Sequence, residues 1–95
     1  NLYELASIRA QEIAGNFSHQ RPDGSYVGDV MLGQYGFSGC GENIAANYTS
    51  VTNLINSWMN SEGHRDNLLN SRFTAGVMSC YYHNGSYYWV NLFRI

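Results

Sequence analysis

Asn84-Gly85 separates two runs, Thr74 to Tyr82 and Tyr87 to Phe93, that are rich in β-branched and aromatic residues. Such residues suit a pleated, half-buried surface. An Asn-Gly pair between two such runs is the strongest short-range signal for a tight antiparallel hairpin. The chain therefore ends in a hairpin, and the rest of the sequence must pack onto it. His83 borders the turn, a place where histidines are usually solvated.

Two helical patterns precede the hairpin. Leu2, Leu5, Ala6, Arg9, Ile13 and Phe17 recur at helical spacing, with Glu4, Gln11 and Glu12 on other faces, which predicts a helix from Leu2 to about Phe17. Gly15-Asn16 marks its end. It opens at residue 1 with no cap before it, which leads us to expect that the sequence begins inside a longer protein. The cleaner pattern is Val51, Leu54, Ile55, Trp58 and Met59, an i, i+3, i+4, i+7, i+8 series preceded by Thr49 or Ser50 as N-cap. Trp58 is thereby placed in the core. Gly63 breaks the period, and one further turn is expected from His64 to Leu69.

Ser18 to Gly41 reads as a long irregular stretch with a turn at Pro22-Asp23-Gly24. A loop of that length in a small domain is more often functional than idle. Glu42 to Ala46 fits either a short strand or the start of a turn. The order is helix, loop, short strand, helix, hairpin: an α+β chain.

At 95 residues the sequence allows one domain, spanning 1–95. A chain this short buries only about 60–65% of its unfolded surface, so its stability margin is thin. Eight Tyr, four Phe and two Trp help to widen it. The net charge is −2, with five Arg scattered and no Lys, so no basic run can track phosphates and nucleic acid is not an expected partner. No apolar stretch reaches membrane-spanning length. Cys40 and Cys80 lie 40 positions apart, which is neither zinc nor CxxC spacing; an even count permits one disulfide. The absence of Lys, the wealth of Tyr and three Asn-x-Ser/Thr sequons, at Asn16, Asn47 and Asn84, are compatible with export.

The residues suited to chemistry are few. His19 and His64 sit in polar settings, Phe17-Ser18-His19 and Ser61-Glu62-Gly63-His64, where imidazole can serve as acid, base or ligand. Glu42, between Gly41 and Asn43, is of the type that orients a histidine. Glu62 reads either as a helix-end carboxylate or as a cleft residue. Asp23 and Asp29 read as turn formers, and Arg65 and Asn67 as groups that bind backbone carbonyls near a helix end. Neither a G-x-S-x-G elbow nor HExxH is present.

Five blocks, taken together and in order, carry a resemblance. They are Phe17-Ser18-His19, Arg21-Pro22-Asp23-Gly24, Gly41-Glu42-Asn43-Ile44-Ala45, Trp58-Met59-Asn60-Ser61, and Gly63-His64-Arg65-Asp66-Asn67-Leu68-Leu69. With the strands at Gly76-Val77 and Tyr87 to Phe93, they resemble the bacterial branch of the CAP superfamily: cysteine-rich secretory proteins, antigen 5 allergens and pathogenesis-related proteins. The resemblance implies an α/β/α sandwich with a small antiparallel sheet between helical layers. It implies a cleft lined by two His and two acids, with His19, Glu42 and His64 matching three of them. The eukaryotic pattern puts the second acid where this chain has Ser61; Glu62 is one step later, about 100° further round a helix. Bacterial members usually carry a further N-terminal helix, and the resemblance implies that this sequence begins after it.

The same resemblance implies a secreted, extracellular or cell-surface module. Its cleft would bind a small ligand or protein partner without catalysis. The alternative is a hydrolase of peptidase type, with His19 or His64 as general base and a zinc ion or free water at the site. It also suggests that Cys40 and Cys80 pair, closing a loop of about 40 residues and contributing about 3.5–4 kcal/mol in the chain-entropy model. Two free thiols are the other reading.

Overall fold

A computed structural model describes residues 1–95. Three helices and one π-helical turn surround a three-stranded sheet: α1 (Leu2–Gly15), the turn Asp29–Gln34, β1 (Cys40–Ala46), α2 (Val51–Met59), α3 (Glu62–Leu69), β2 (Ala75–His83) and β3 (Ser86–Arg94). The strand order is β1-β3-β2, antiparallel throughout. This is an α+β fold with helices on both faces of the sheet.

The hairpin lies where the sequence places it. Asn84 and Gly85 form a two-residue loop with φ of 49° and 83°, flanked by the pair His83 and Ser86. Positive φ at both loop positions matches the right-handed twist of the strands, and Asn and Gly adopt it at least cost. His83 is exposed.

β3 is the central strand, and its alternate residues feed two separate cores. Val90 and Leu92 point to one face and pack with Leu5, Ala6, Ala10 and Ile13 of α1, with Ile44 from β1 and Met31 from the π-helical turn. Trp89 points to the other face and packs with Ala45, Leu54 and Trp58. The period-2 geometry of a strand thus allots α1 to one layer and α2 to the other.

Several expectations are corrected. α1 is capped: Asn1 Oδ1 accepts the Glu4 amide at 2.8 Å, in a capping box with the Glu4 carboxylate. The helix stops at Gly15, because Asn16 is extended (φ −150°), and this takes Phe17 off the helical stripe and leaves it 54% exposed. Ser18 to Gly41 is less irregular than expected, since Asp29–Gln34 forms the π-helical turn that places Met31 in the core. Ser50, not Thr49, caps α2, its Oγ accepting the Asn53 amide. Val51, in the first turn of α2, is 52% exposed and not part of the packed stripe.

The disulfide expectation also fails. Cys40 and Cys80 are free thiols. They sit on β1 and β2, on opposite sides of β3, so two strand spacings of about 4.8 Å already exceed the Cα separation a bridge tolerates. Cys40 pairs with Arg94 and Cys80 with Trp89, an odd number of positions apart on β3, so the two thiols face opposite layers. Burial pushes both thiols above their ordinary pKa, with Glu42 adding to the effect at Cys40.

Two measurements check this packing. Trp58, 2% exposed, is expected to cost about 3–5 kcal/mol when replaced by Ala, read from equilibrium denaturation. Unfolded, unreduced protein is expected to titrate as two thiols per chain; zero would restore the bridge.

Candidate functional site

Glu42 and Asn43 are consecutive on β1, so their side chains leave opposite faces of the sheet. Glu42 pairs with Leu92 and faces α1, while Asn43 pairs with Asn91 and faces α3. Gly41, on the same face as Asn43, makes room for Phe73 and Asn67. A Cβ there would lie 2.9 Å from the Phe73 ring and 3.2 Å from Asn67 Oδ1.

On the α1 side, Glu42 meets Arg9. The Arg9 side chain is fully buried, and the Glu42 side chain is 6% exposed. Arg9 Nε donates to Glu42 Oε2 at 2.7 Å and Nη2 to Oε1 at 3.2 Å. The rest of the guanidinium is also used: Nη1 donates to Glu12 Oε1 at 2.9 Å and Nη2 to the Ser18 carbonyl at 2.9 Å. Glu12 in turn accepts from Arg21 Nε and Nη2. Burial acts to raise the Glu12 pKa, but hydrogen bonds from Arg21 and Arg9 outweigh it and hold the carboxyl below its usual range.

This network clamps the chain on both sides of His19. His19 Nδ1 lies 2.8 Å from Glu42 Oε1. A carboxylate can only accept, so Nδ1 carries the proton and Nε2 is left open. Glu42 is thereby largely engaged: its two oxygens take three donors, against about four lone-pair sites.

On the α3 side, Asn43 is fully buried. Its Nδ2 donates to the His64 carbonyl at 3.1 Å, and its Oδ1 accepts from Asn67 Nδ2 at 3.0 Å. His64 is held at three points: its carbonyl by Asn43, its Nδ1 by Ser61 Oγ at 2.9 Å, and its ring face by Trp58, with centroids 6.0 Å apart and planes at 19°. Burial lowers the His64 pKa below its ordinary 6.5, and charge on His19 lowers it further. The imidazole is therefore neutral near pH 7, with Nε2 unbonded in the chain.

His19, Glu42, Asn43, Ser61, Gly63, His64 and Asn67 line one cavity of about 290 Å³ without an apolar residue among them. Ser61 and His64 also belong to an adjoining groove of about 670 Å³, whose other walls include Phe17, Tyr48, Trp58 and Tyr88. The cleft thus has a polar end and an aromatic end, joined at His64.

The profile of the CAP, cysteine-rich secretory protein family matches residues 1–93. The chain belongs to the CAP family. Its CAP domain is 43% identical over 85 residues to the membrane protein YlbC of Bacillus subtilis, covering 83% of this chain and 25% of YlbC. It is 43% identical over 77 residues to YkwD of the same organism, covering 77% of this chain and 30% of YkwD. The chain thus spans less than a third of the length of these relatives. Among solved structures, it superposes on an extracellular protein containing an SCP domain from Bacillus anthracis with TM-score 0.79 at 32% identity, over 98% of this chain and 31% of that one. An outer surface protein of Borrelia burgdorferi has the same fold, with TM-score 0.84 at 20% identity, over 98% of this chain and 71% of that one. In this CAP domain no helix is long and apolar enough to cross a membrane.

Of the residues singled out from the sequence, His19, Glu42 and His64 line the same cavity in this CAP domain. Glu62 is exposed at the start of α3 and lines neither cavity, while Ser61 does. Asn67 binds the Glu42 carbonyl and the Asn43 side chain, and Arg65 is exposed. Asn43 is missed as a site component, and so is Arg9. Its signal was present: a charged side chain on the apolar face of α1, which must find a buried anion.

Zinc does not fit the donors present. Zinc centres use three or four protein ligands, whereas no cluster of three His, Cys, Asp or Glu side chains exists here. In the polar cavity His19 and His64 are the two donors with a free nitrogen, since Glu42 already accepts from Arg9 and His19.

Arg9→Met is expected to strand the Glu42 carboxylate in a buried site and cost about 3–5 kcal/mol of stability, read from denaturant unfolding. Adding Glu42→Leu to that variant is expected to recover much of the loss. The depressed His64 pKa sets a second outcome. In the window below 6.5 the unfolded chain takes up a proton that folded His64 refuses, so stability is full above 6.5 and falls as pH drops through the lower folded value. His64→Gln is expected to flatten that slope in unfolding curves collected from pH 7.5 to 4.5.

Proposed function

We propose that residues 1–95 act as a secreted or surface-displayed binding module, whose cleft holds a ligand or partner without covalent chemistry. The observation that carries this reading is the state of the cleft's polar groups. Glu42, the one carboxylate lining it, already accepts from Arg9 and His19. It orients and charges the site rather than waiting for a substrate proton. Both histidines have Nδ1 engaged and Nε2 unbonded in the chain, so they present hydrogen-bonding atoms on fixed rings. Rigid polar groups beside an aromatic wall are what a small-molecule or peptide site needs for orientation and affinity. The extracellular setting is supported by the SCP-domain protein of Bacillus anthracis, which is extracellular. Neither a nucleic acid nor a membrane-spanning role is proposed for this segment.

A second reading, hydrolysis with His64 as general base on a free water, draws on one observation: burial keeps His64 in the neutral form that can take a proton.

A library of amphipathic fragments, observed by NMR against the wild type, His19→Ala and His64→Ala, separates the two. Binding is expected to shift the imidazole resonances of both histidines, to weaken in either variant, and to return every fragment unchanged. Fragments consumed over time, with loss of turnover in His64→Ala, would replace the binding module by a hydrolase. Binding that neither variant alters would place the ligand elsewhere.

A further inference from the structure

β1 is an edge strand. The Asn47 amide donates to the Tyr87 carbonyl at one end, and the Ile95 amide donates to the Gly39 carbonyl at the other. Both bonds belong to the odd-numbered positions of β1's register. In an antiparallel ladder the alternate residues turn their amides and carbonyls the other way. Glu42, Ile44 and Ala46 therefore direct theirs away from β3, to the free edge.

At Glu42 that edge is closed, because Asn67 Nδ2 reaches its carbonyl at 3.4 Å. At Ile44 and Ala46 it is open: the amides and carbonyls of these two residues have no partner in the chain. Both residues line the 670 Å³ groove. The groove has a wall from each layer. Phe17 and Tyr88 stand on the α1 side, and Trp58 and His64 on the α2–α3 side. Trp58 adds an independent sign. Its Nε1 is the buried side-chain polar atom left without a hydrogen-bond partner, on a residue only 2% exposed. Buried donors in folded proteins are nearly always satisfied, so this one is an exception, and it lies on a residue of the groove wall.

We propose that this groove binds an extended polypeptide segment, added as a fourth strand on the free edge of β1 at Ile44 and Ala46. The inference rests on reading the cleft as a binding site, and it names the ligand class. An acyl chain could fill the groove but would leave two amides and two carbonyls unpaired beside it. An extended backbone presents alternate donors and acceptors at the same two-residue repeat of about 6.8 Å. Its successive side chains point to opposite faces, one toward Phe17 and Tyr88, the next toward Trp58 and His64.

The test uses a displayed library of linear peptides selected on the folded domain, followed by synthesis of the enriched sequences. Selected peptides are expected to alternate apolar and other residues, and to slow hydrogen exchange of the Ile44 and Ala46 amides on binding. N-methylation of one peptide amide in register with these residues is expected to weaken binding about tenfold, the worth of one such hydrogen bond. Ala46→Pro removes an edge donor that β3 does not use, and is expected to weaken binding similarly while circular dichroism stays unchanged. N-methyl peptides keep the test decisive if that variant misfolds. Peptides that bind in the groove but tolerate N-methylation at every position, with Ile44 and Ala46 unprotected, would overturn strand addition and leave the cleft a binding site of another kind. Failure to enrich any peptide, with amphipathic fragments still shifting His19 and His64, would overturn the polypeptide class itself.

Discussion

The buried pair between Arg9 and Glu42 is the interaction on which the cleft depends. A guanidinium with no exposed surface is tolerated only when each of its directions finds an acceptor. From α1, Arg9 finds two carboxylates and a carbonyl: Glu12 on its own helix, Glu42 on β1 and Ser18 in the loop that follows α1. One side chain thereby fixes the sheet, the first helix and the start of the long loop relative to one another. His19 owes its position to that arrangement, since it is the next residue after Ser18 and shares Oε1 of Glu42 with Arg9.

β1 does for the other layer what Arg9 does for the first. Because strand residues alternate, Glu42 and Asn43 act in opposite directions from adjacent positions. Glu42 gathers α1 and His19, and Asn43 gathers α3 and His64. The cleft opens where these two sets of bonds meet, at the free edge of the sheet. His64 also stacks on Trp58, which belongs to the second core with Trp89 and Leu54. The geometry of the polar site therefore depends on the packing of α2, and a change at Trp58 would reach the imidazole as well as the core.

Local patterns carried much of the fold. The Asn-Gly loop, the two amphipathic helices and the Ser50 cap each rest on residues within a few positions of one another, and each is found close to where that chemistry puts it. What failed were inferences that cross the sheet. The Cys40–Cys80 bridge looked reasonable from composition and resemblance, but strand order decides it, and placing β3 between β1 and β2 separates the thiols. Ser61 is the extended N-cap of α3 rather than part of a continuing helix, and it lines the cleft while Glu62, the first residue of α3, is exposed. Arg9 stood in the apolar stripe as an anomaly whose partner, 33 positions away, no short-range rule could name.

The sequence by itself determined the elements, the hairpin, the CAP resemblance and the types of residue available for chemistry, because propensity, capping and turn geometry are local. Only the tertiary structure decided which of these residues meet. It set Glu42 between Arg9 and His19, joined the polar cavity to the aromatic groove at His64, and left Ile44 and Ala46 unpaired at the rim. Those outcomes follow from strand order, from the parity of side chains along β1 and β3, and from the need of a buried charge for a counter-charge. Strand order and the partner of a buried charge join residues far apart in the chain, so no short stretch contains them.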